Sequence, residues 1–303
     1  MAETIVFDKN FDPQYGHAVD VAPGVRRVTA PNPGPTTFHG TNSYIVGRGD
    51  VAIIDPGPDD AGHVAALLSA VAGETVSYIV LTHTHRDHTG ALAALQQATG
   101  AATVGGGPHR SARAPRAGES MRLDAAGDAN FHPDITLADG STIAGGTWQL
   151  DAVATPGHTA NHLALALEDD KTLFSGDHVM GWSTTIVAPP DGAMRDYMAS
   201  LDKLAARAEP RYLPGHGGPI DNAHAYIRAL KQHRQMREAE IYARLVAGDC
   251  TIPEIVAVIY RDTDPRLHRA AGLSVLAHLE DLVAGGKVTS DGPPIVEGRF
   301  APA

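Results

Sequence analysis

Short apolar runs, separated by stretches rich in Gly, Pro and Asp, dominate the chain as far as Leu213. This pattern is typical of strands joined by loops. The segments predicted as strands are 44–46, 51–54, 76–81, 101–104, 148–154, 163–167, 172–174 and 211–213. Turn residues between segments 44–46 and 51–54, and between segments 163–167 and 172–174, predict two β-hairpins.

Apolar residues at helical spacing predict helices between these strands, in segments 61–71, 91–98 and 196–206. Because segments 76–81, 91–98 and 101–104 follow one another in the order strand, helix, strand, they predict a βαβ unit. The fold class is therefore α/β. Each of the later predicted strands is followed by a polar loop. If the strands form a sheet sandwich, these loops could meet at one of its edges.

The pattern changes after Asn222, where helical spacing replaces the short apolar runs. Helices are predicted at 223–246, 253–260 and 266–284, followed by a small hairpin of 287–288 and 295–296. Three helices and a hairpin predict a winged-helix-like module. A chain of 303 residues is long enough for one large domain and one small one, which we place at 1–222 and 223–303.

Composition narrows the class of protein. Of the residues, 43% are hydrophobic and 19% are charged, so the chain can bury a sizeable core. A single cysteine, Cys250, excludes an internal disulfide framework and a thiolate zinc site. The sequence has no run of 18 apolar residues, and residues 1–10 do not resemble an export signal, so we expect a cytoplasmic protein without a membrane partner.

The formal net charge of −11 argues against a general nucleic-acid binder. Residues 223–303 hold ten basic and ten acidic side chains, so the negative charge lies in the first 222 residues. A winged helix without net positive charge is not expected to bind duplex DNA. The expectation instead is a packing role, a role in shaping the substrate entrance or a homodimer contact.

The polar loop after segment 76–81 is dense in metal-binding side chains: it contains His83, His85, Asp87 and His88. Alternate residues of an extended chain point in opposite directions, so one such loop can serve two ions. A lone His-x-His pair is usually solvent-facing, but a cluster of this density would be costly to bury unpaired. We therefore predict a metal site here.

These four residues match the HxHxDH signature of the metallo-β-lactamase fold superfamily, which the chain resembles. The later motifs of that superfamily are matched at 55–57, 155–159, 174–178 and 213–217. Residues 223–303 are similar to the winged-helix region that accompanies this domain in the β-lactamase-like protein 2 family. The resemblance implies a four-layer αβ/βα sandwich with a small helical C-terminal domain.

The resemblance also implies a set of ligands for two ions. His83, His85 and His158 would hold the first ion, while Asp87, His88 and His216 would hold the second. Asp177 would bridge both ions, and Asp55 would orient ligands from behind. Imidazole-rich ligation favours Zn²⁺, with Mn²⁺ or iron as alternatives.

Such a pair of ions activates a water near neutral pH, which implies a hydrolase acting on an ester, thioester, lactam or phosphodiester. Asp87 would orient that water and transfer a proton. The resemblance leaves three alternatives open: a single-stranded RNA endonuclease, an iron-dependent redox protein, and a non-catalytic regulator that binds metal. The substrate is therefore a small molecule or single-stranded RNA.

The loop 105–128 carries Arg110, Arg113, Arg116 and Arg122 with few apolar residues. Its composition is typical of a solvated surface loop. The functional alternative is a basic lid that binds an anionic substrate through the first three arginines together with Trp182. Segment 183–194 is predicted to form part of the substrate wall. His162 is predicted to be a packed or surface residue, and His178 is given no ligand role.

Overall fold

A computed structural model describes residues 5–117, 119, 127–168 and 171–303. A seven-stranded sheet runs in chain order, with its first four strands antiparallel and the following pairs parallel. Its strands are β1 (Val19–Ala22), β2 (Val25–Thr29), β3 (Asn42–Arg48), β4 (Asp50–Ile54), β5 (Thr75–Val80), β6 (Ala102–Gly105) and β7 (Ile135–Thr136).

A five-stranded sheet has the order β12-β11-β10-β9-β8. Its strands are β8 (Thr142–Gly145), β9 (Trp148–Ala154), β10 (Leu163–Leu167), β11 (Thr172–Gly176) and β12 (Arg211–Pro214). Strands β11 and β12 pair in parallel, whereas the others pair antiparallel. The carboxyl ends of β11 and β12 therefore lie at the same edge of the sheet.

Helices cover the outer faces of both sheets. Those of the α/β region are α1 (Ala61–Ala70), α2 (Arg86–Thr89), α3 (Leu92–Thr99) and α4 (Met194–Ala205). Apolar residues of β4, β5, α1 and α3 form one outer core, which includes Ile53, Ile79, Leu67 and Leu95. Residues of β9–β12 pack against α4 in a second one. A central core between the sheets completes the four-layer sandwich, as predicted.

The C-terminal region contains α5 (Ala223–Val246), α6 (Ile252–Ile259) and α7 (His268–Ala284), preceded by a 3₁₀ turn at Pro265–Leu267. Thr251 and Glu254 cap α6 reciprocally in a capping box. A hairpin of β13 (Val288–Ser290) and β14 (Phe300–Pro302) completes the winged-helix-like domain.

The second strand of this hairpin differs from the prediction at 295–296. Phe300 is buried in the helical core, and this anchors β14 opposite β13. Residues 293 and 294 are both proline, which has no backbone N–H to donate to a strand ladder. The segment that follows them therefore lies in the loop between the two strands.

The C-terminal helices continue the core of the α/β region. Ile227, Leu230 and Ala277 belong to the same apolar cluster as the residues of α4. Glu280 of α7 accepts hydrogen bonds from Arg113 and Arg116. The C-terminal domain is thus fixed against the α/β sandwich by apolar and ionic contacts. Among the described residues, no helix is long and apolar enough to cross a membrane.

Four strands were not predicted from the sequence: β1, β2, β7 and β8. In β2 two arginines interrupt the apolar run, yet both are buried. Arg26 pairs with Glu74 at 2.7 Å and donates to the carbonyl of Ala70 at 2.6 Å. Because a buried charge is tolerated only with such partners, a pattern of hydrophobicity alone could not reveal this strand.

Candidate metal centre

The candidate ligands lie where strands of both sheets end. The loop after β5 contains His83 and His85, and α2 begins at Arg86, which places Asp87 and His88 in its single turn. In the second sheet, His158 follows β9, Asp177 follows β11 and His216 follows β12. The edge of the sandwich therefore gathers side chains that are distant in sequence.

His83, His85 and His158 form one group of candidate ligands. The Nδ1 atom of His85 lies 3.0 Å from Nε2 of His83 and 3.0 Å from Nε2 of His158. Burial, followed by repulsion from the neighbouring rings, keeps the pKa of His83 well below its usual value and lowers that of His85 to about 3. These rings are therefore neutral at pH 7, as metal ligation requires.

Asp87, His88 and His216 form a second group, and Asp177 forms a third with His83 and His88, one residue from each of the other two groups. Nε2 of His216 is 3.3 Å from a carboxylate oxygen of Asp87 and 3.3 Å from one of Asp177. Asp177 also lies 3.4 Å from Nε2 of His88 and 3.7 Å from Nε2 of His158. The carboxylate of Asp177 thus faces ligands of both groups.

Opposite charges are concentrated in this second group. Burial opposes ionisation of Asp177, but His216 and His88 hold the pKa of this carboxyl well below its usual value. Burial also lowers the pKa of His216, but Asp177 and Asp87 outweigh it and raise the pKa to about 10. The carboxylates of Asp177 and Asp87 are therefore ionised at pH 7. They favour a cation bound between the two groups.

These residues fit a metal centre. Nε2 of His88 and a carboxylate oxygen of Asp177 are buried with no hydrogen-bond partner among the described residues. A buried polar atom without a partner is costly, and a bound cation would satisfy both atoms. Within each group the candidate ligand atoms lie within 4.8 Å of one another. Histidine nitrogens and carboxylate oxygens are the donor set that Zn²⁺ accepts.

The ring nitrogens that face away from the centre have hydrogen-bond partners. Nδ1 of His158 donates to the carbonyl of Ile186 at 2.7 Å, and Nδ1 of His216 donates to the carbonyl of Gly40 at 3.1 Å. Because a carbonyl can only accept, each Nδ1 carries the proton. Nε2 of each ring is then the atom that would bind a metal. At His216, whose raised pKa keeps the metal-free ring protonated, the ion would displace the Nε2 proton.

Asp55 supports the ligands from behind. Its carboxylate lies 2.9 Å from Nδ1 of His88 and accepts hydrogen bonds from the backbone N–H and the hydroxyl of Thr82, at 2.8 and 2.7 Å. Its backbone has φ 52°, a left-handed conformation that an aspartate tolerates better than most residues. The structure thus places Asp55 where it fixes the orientation of His88 and of the loop that begins at Thr82.

His162 and His178 are buried and belong to none of the candidate ligand groups. Nε2 of His162 accepts a hydrogen bond from the backbone N–H of Asp177 at 3.2 Å, while its Nδ1 lies 2.8 Å from the hydroxyl of Thr155. His162 therefore positions the backbone of Asp177. The ring of His178 packs against Tyr197 at 4.5 Å between centroids.

A cavity of about 680 Å³ opens onto the candidate ligands. Trp182 and residues 183–186 of the predicted substrate wall line it. Trp182 stacks on Phe38 with centroids 4.8 Å apart. Another part of the lining belongs to the C-terminal domain, for which a role at a substrate entrance was expected, although none of its individual residues was predicted. That part includes His233, Arg234, Arg237, Tyr260, Leu267, Ala270, Ala271 and Ser274.

Arg110, Arg113 and Arg116 do not line this cavity. Arg110 donates to the carbonyl of Ala160 at 3.1 Å, while Arg113 and Arg116 are held by Glu280, in the contacts described above. The contacts of Arg113 and Arg116 hold the loop 105–128 against the C-terminal domain. They do not favour the basic-lid hypothesis, which stays a prediction. Arg122 lies outside the described residues.

The model of the metallo-beta-lactamase superfamily matches residues 36–216 of the chain. The chain belongs to the metallo-beta-lactamase superfamily. A second family model, the beta-lactamase associated winged helix domain, matches residues 251–293 of the chain. The expected combination of the two modules is therefore confirmed, and the protein is a hydrolase of that superfamily.

Relatives support this assignment. A beta-lactamase-like protein 2 homolog from Caenorhabditis elegans is 32% identical over 269 residues, covering 87% of this chain and 85% of that protein. An atrochrysone carboxyl ACP thioesterase from Aspergillus fumigatus is 31% identical, covering 75% of this chain and 67% of that protein. The crystal structure of a metallo-beta-lactamase family protein from Thermus thermophilus is 26% identical, with a TM-score of 0.75, covering 94% and 100% of the respective chains.

Proposed function

We propose that the protein is a zinc-dependent hydrolase of ester or thioester bonds in small acyl substrates. The observation that carries this proposal is the cavity of about 680 Å³, which joins the candidate ligands to an apolar wall. The apolar lining includes Met180, Trp182 and Ile186 from the loop after β11 and Leu267, Ala270 and Ala271 from the C-terminal domain. A concave, partly apolar site of this size suits a compact acyl group.

Two bound Zn²⁺ ions would supply an activated water near neutral pH and would stabilise negative charge that develops at the attacked carbonyl. His83, His85 and His158 would hold one ion, Asp87, His88 and His216 the other, and Asp177 both. Asp87 is the ligand carboxylate with the more exposed side chain, 23% against 9% for Asp177. It is therefore the better placed of the two to orient a water and to accept and return its proton.

Two further observations support an acyl substrate. The name of the Aspergillus fumigatus relative assigns that protein a thioesterase activity. Arg113 and Arg116 are paired with Glu280, so they are not free to contact the phosphates of single-stranded RNA. RNA cleavage stays an alternative, as do an iron-dependent redox activity and a purely regulatory role.

The test is a comparison of substrates with the purified protein. We expect turnover of short acyl thioesters or aryl esters, loss of turnover after removal of metal by a chelator, and recovery with Zn²⁺. Asp87→Asn should lower kcat by roughly 100-fold or more, since general acid–base catalysis contributes about that much. Asp262→Asn, at an exposed position in the C-terminal domain, is the matched control and should retain parental activity.

Metal analysis and a single-stranded RNA substrate complete the experiment. Cleavage of RNA with no turnover of any ester or thioester would overturn the proposed function. Turnover that survives complete removal of metal would also overturn it. Iron at full occupancy in the active protein would favour the redox alternative.

A further inference from the structure

The wall of the cavity that comes from the C-terminal domain carries two positive charges. Arg234 and Arg237 lie one turn apart on α5, and both line the cavity that holds the candidate metal ligands. His233 and Tyr260 lie beside them in the same wall. Nothing in the hydrolytic chemistry described above requires these two guanidinium groups.

Arg234 is almost fully buried, with 4% of its surface exposed. Its Nη2 donates to the carbonyl of Thr185, and its guanidinium lies over the ring of Tyr197, 5.0 Å from the centroid. Its Nε is buried without a hydrogen-bond partner, and no carboxylate pairs with it among the described residues. A buried guanidinium without a counter-charge is costly, so the wall is prepared for an anion.

Arg237 is the more accessible of the two. Tyr260 supports its guanidinium, which lies 4.6 Å from the ring centroid. Glu240 pairs with it at 2.9 Å, but the Glu240 side chain is 56% exposed, and such surface pairs contribute little. A guanidinium has five N–H donors in a planar fork, so Arg237 keeps donors available for an oxyanion in the cavity.

His233 adds a neutral polar group to this wall. Burial, followed by repulsion from Arg234 and Arg237, lowers the pKa of His233 to about 4. Its Nδ1 is buried without a hydrogen-bond partner in the described structure. The ring therefore offers a hydrogen bond next to the two arginines without bringing a further charge.

We propose that Arg237, supported by Arg234 and His233, forms a binding subsite for an oxyanion group of the substrate, a carboxylate or a phosphate, away from the bond that is cleaved. The apolar residues Leu267, Ala270 and Ala271 line the same wall and would contact the carbon chain of the substrate. The proposal rests on the proposed function for the nature of the cleaved bond. It deepens that function, because it assigns substrate selection to the C-terminal domain.

The test uses matched pairs of thioesters that differ in one anionic group. In the first pair, an acyl group that ends in a carboxylate is compared with its methyl ester. In the second pair, a thioester of pantetheine 4′-phosphate is compared with the thioester of pantetheine. The two pairs distinguish an anion in the acyl group from a phosphate in the leaving group.

We expect the intact protein to prefer the anionic member of one pair. Arg237→Gln should reduce that preference, measured as a ratio of kcat/KM values, by roughly tenfold to a hundredfold, since a hydrogen bond to a charged group is worth about 1.5–3 kcal/mol. Arg244→Gln is the matched control on the same helix. Arg244 pairs with Asp249 and does not line the cavity, so its replacement should keep the parental ratio.

A binding measurement separates this proposal from the proposed function. Thioether analogues of both pairs cannot be hydrolysed, and calorimetry on the intact protein gives their affinities. An Arg237-dependent preference for an anionic thioether supports the subsite even where no ester or thioester is turned over, a result that would refute the proposed function alone. Equal affinity for both members of each pair, or an equal preference in the Arg237→Gln and Arg244→Gln proteins, would overturn the subsite.

Discussion

Asp177 is the residue on which the two candidate ligand groups depend, because its carboxylate lies within 3.7 Å of His88, His158 and His216. Replacement by asparagine removes one charge and retains the size of the side chain. We expect Asp177→Asn to bind less than the parental amount of metal and to lose roughly 100-fold or more in kcat, since it weakens ligands to both ions.

Metal content by mass spectrometry and steady-state kinetics on the same samples measure both effects. Asp139→Asn, at an exposed position outside the centre, is the control. A variant of Asp177 with full metal content and parental kcat would contradict the bridging role.

His63 is a buried histidine that lies outside the candidate metal groups. Burial lowers its pKa to about 4, and its Nε2 lies 2.9 Å from the hydroxyl of Ser43. Between pH 6.5 and pH 4 the unfolded chain protonates this residue while the folded protein does not. The free energy of unfolding therefore falls as the pH falls through this window.

We expect His63→Gln to remove this contribution, which is roughly 2 to 3 kcal/mol across the window. Urea unfolding of the metal-free protein at several pH values measures it as the difference between the parental and variant profiles. His132→Gln replaces an exposed histidine and should leave the profile unchanged. Parallel profiles for the parental and His63→Gln proteins would show that His63 does not titrate in this window.

At the scale of elements, the sequence predicts the strands whose apolar pattern is uninterrupted, and β9 and β10 agree with their predicted bounds. It does not predict β2, where Arg26 and Arg27 are stabilised by partners distant in sequence. The second strand of the C-terminal hairpin was predicted wrongly for a related reason, since the long-range burial of Phe300 selects it. Local patterns thus predict elements only where local and tertiary preferences agree.

Glu280 connects α7 to the loop that precedes β7, because its half-buried carboxylate pairs with Arg113 and Arg116 of that loop. Its neighbour Asp281 pairs with Arg195, whose side chain is 64% exposed. We expect Glu280→Gln to cost about 1–2 kcal/mol of unfolding free energy, because it removes the counter-charge of Arg116 and one of the two counter-charges of Arg113, which keeps Glu119. Asp281→Asn should cost less than about 1 kcal/mol, as exposed pairs generally do.

Thermal unfolding of the two variants makes this comparison directly. A larger loss in Asp281→Asn than in Glu280→Gln would show that the ion pairs of Glu280 do not hold the C-terminal domain in place. The same comparison tests the basic-lid hypothesis. If Arg113 and Arg116 bind substrate and not Glu280, Glu280→Gln should leave stability unchanged.

At the scale of the whole molecule, the sequence predicted the candidate metal centre and, in segment 183–194, part of the cavity lining, but not the individual lining residues of the C-terminal domain. All seven candidate ligands lie in motifs that can be read locally and that resemble a known family. The cavity wall formed by Arg234 and Arg237 depends on how α5 docks, and that is set by apolar contacts of Ile227 and Leu230 with distant strands. No short-range pattern contains this information.

The final prediction concerns the winged-helix domain, which we expect not to bind duplex DNA. Such domains read DNA by inserting a helix into the major groove. Here α7, the third helix of the domain, has every residue of 270–279 buried, and Ala270, Ala271 and Ser274 line the cavity at the candidate metal centre. Insertion of α7 would require the C-terminal domain to separate from the sandwich, and the domain carries no net positive charge.

Fluorescence anisotropy with a labelled duplex tests this expectation at low and at physiological salt. We expect a dissociation constant no lower than roughly 10⁻⁴ M, which is the weak end of the range for non-specific binding. The Glu280→Gln protein extends the test, because weaker docking of α7 should still not create DNA binding if charge is the limiting factor. Submicromolar affinity that falls steeply with salt would overturn the prediction, since that slope reports phosphate contacts made by basic side chains.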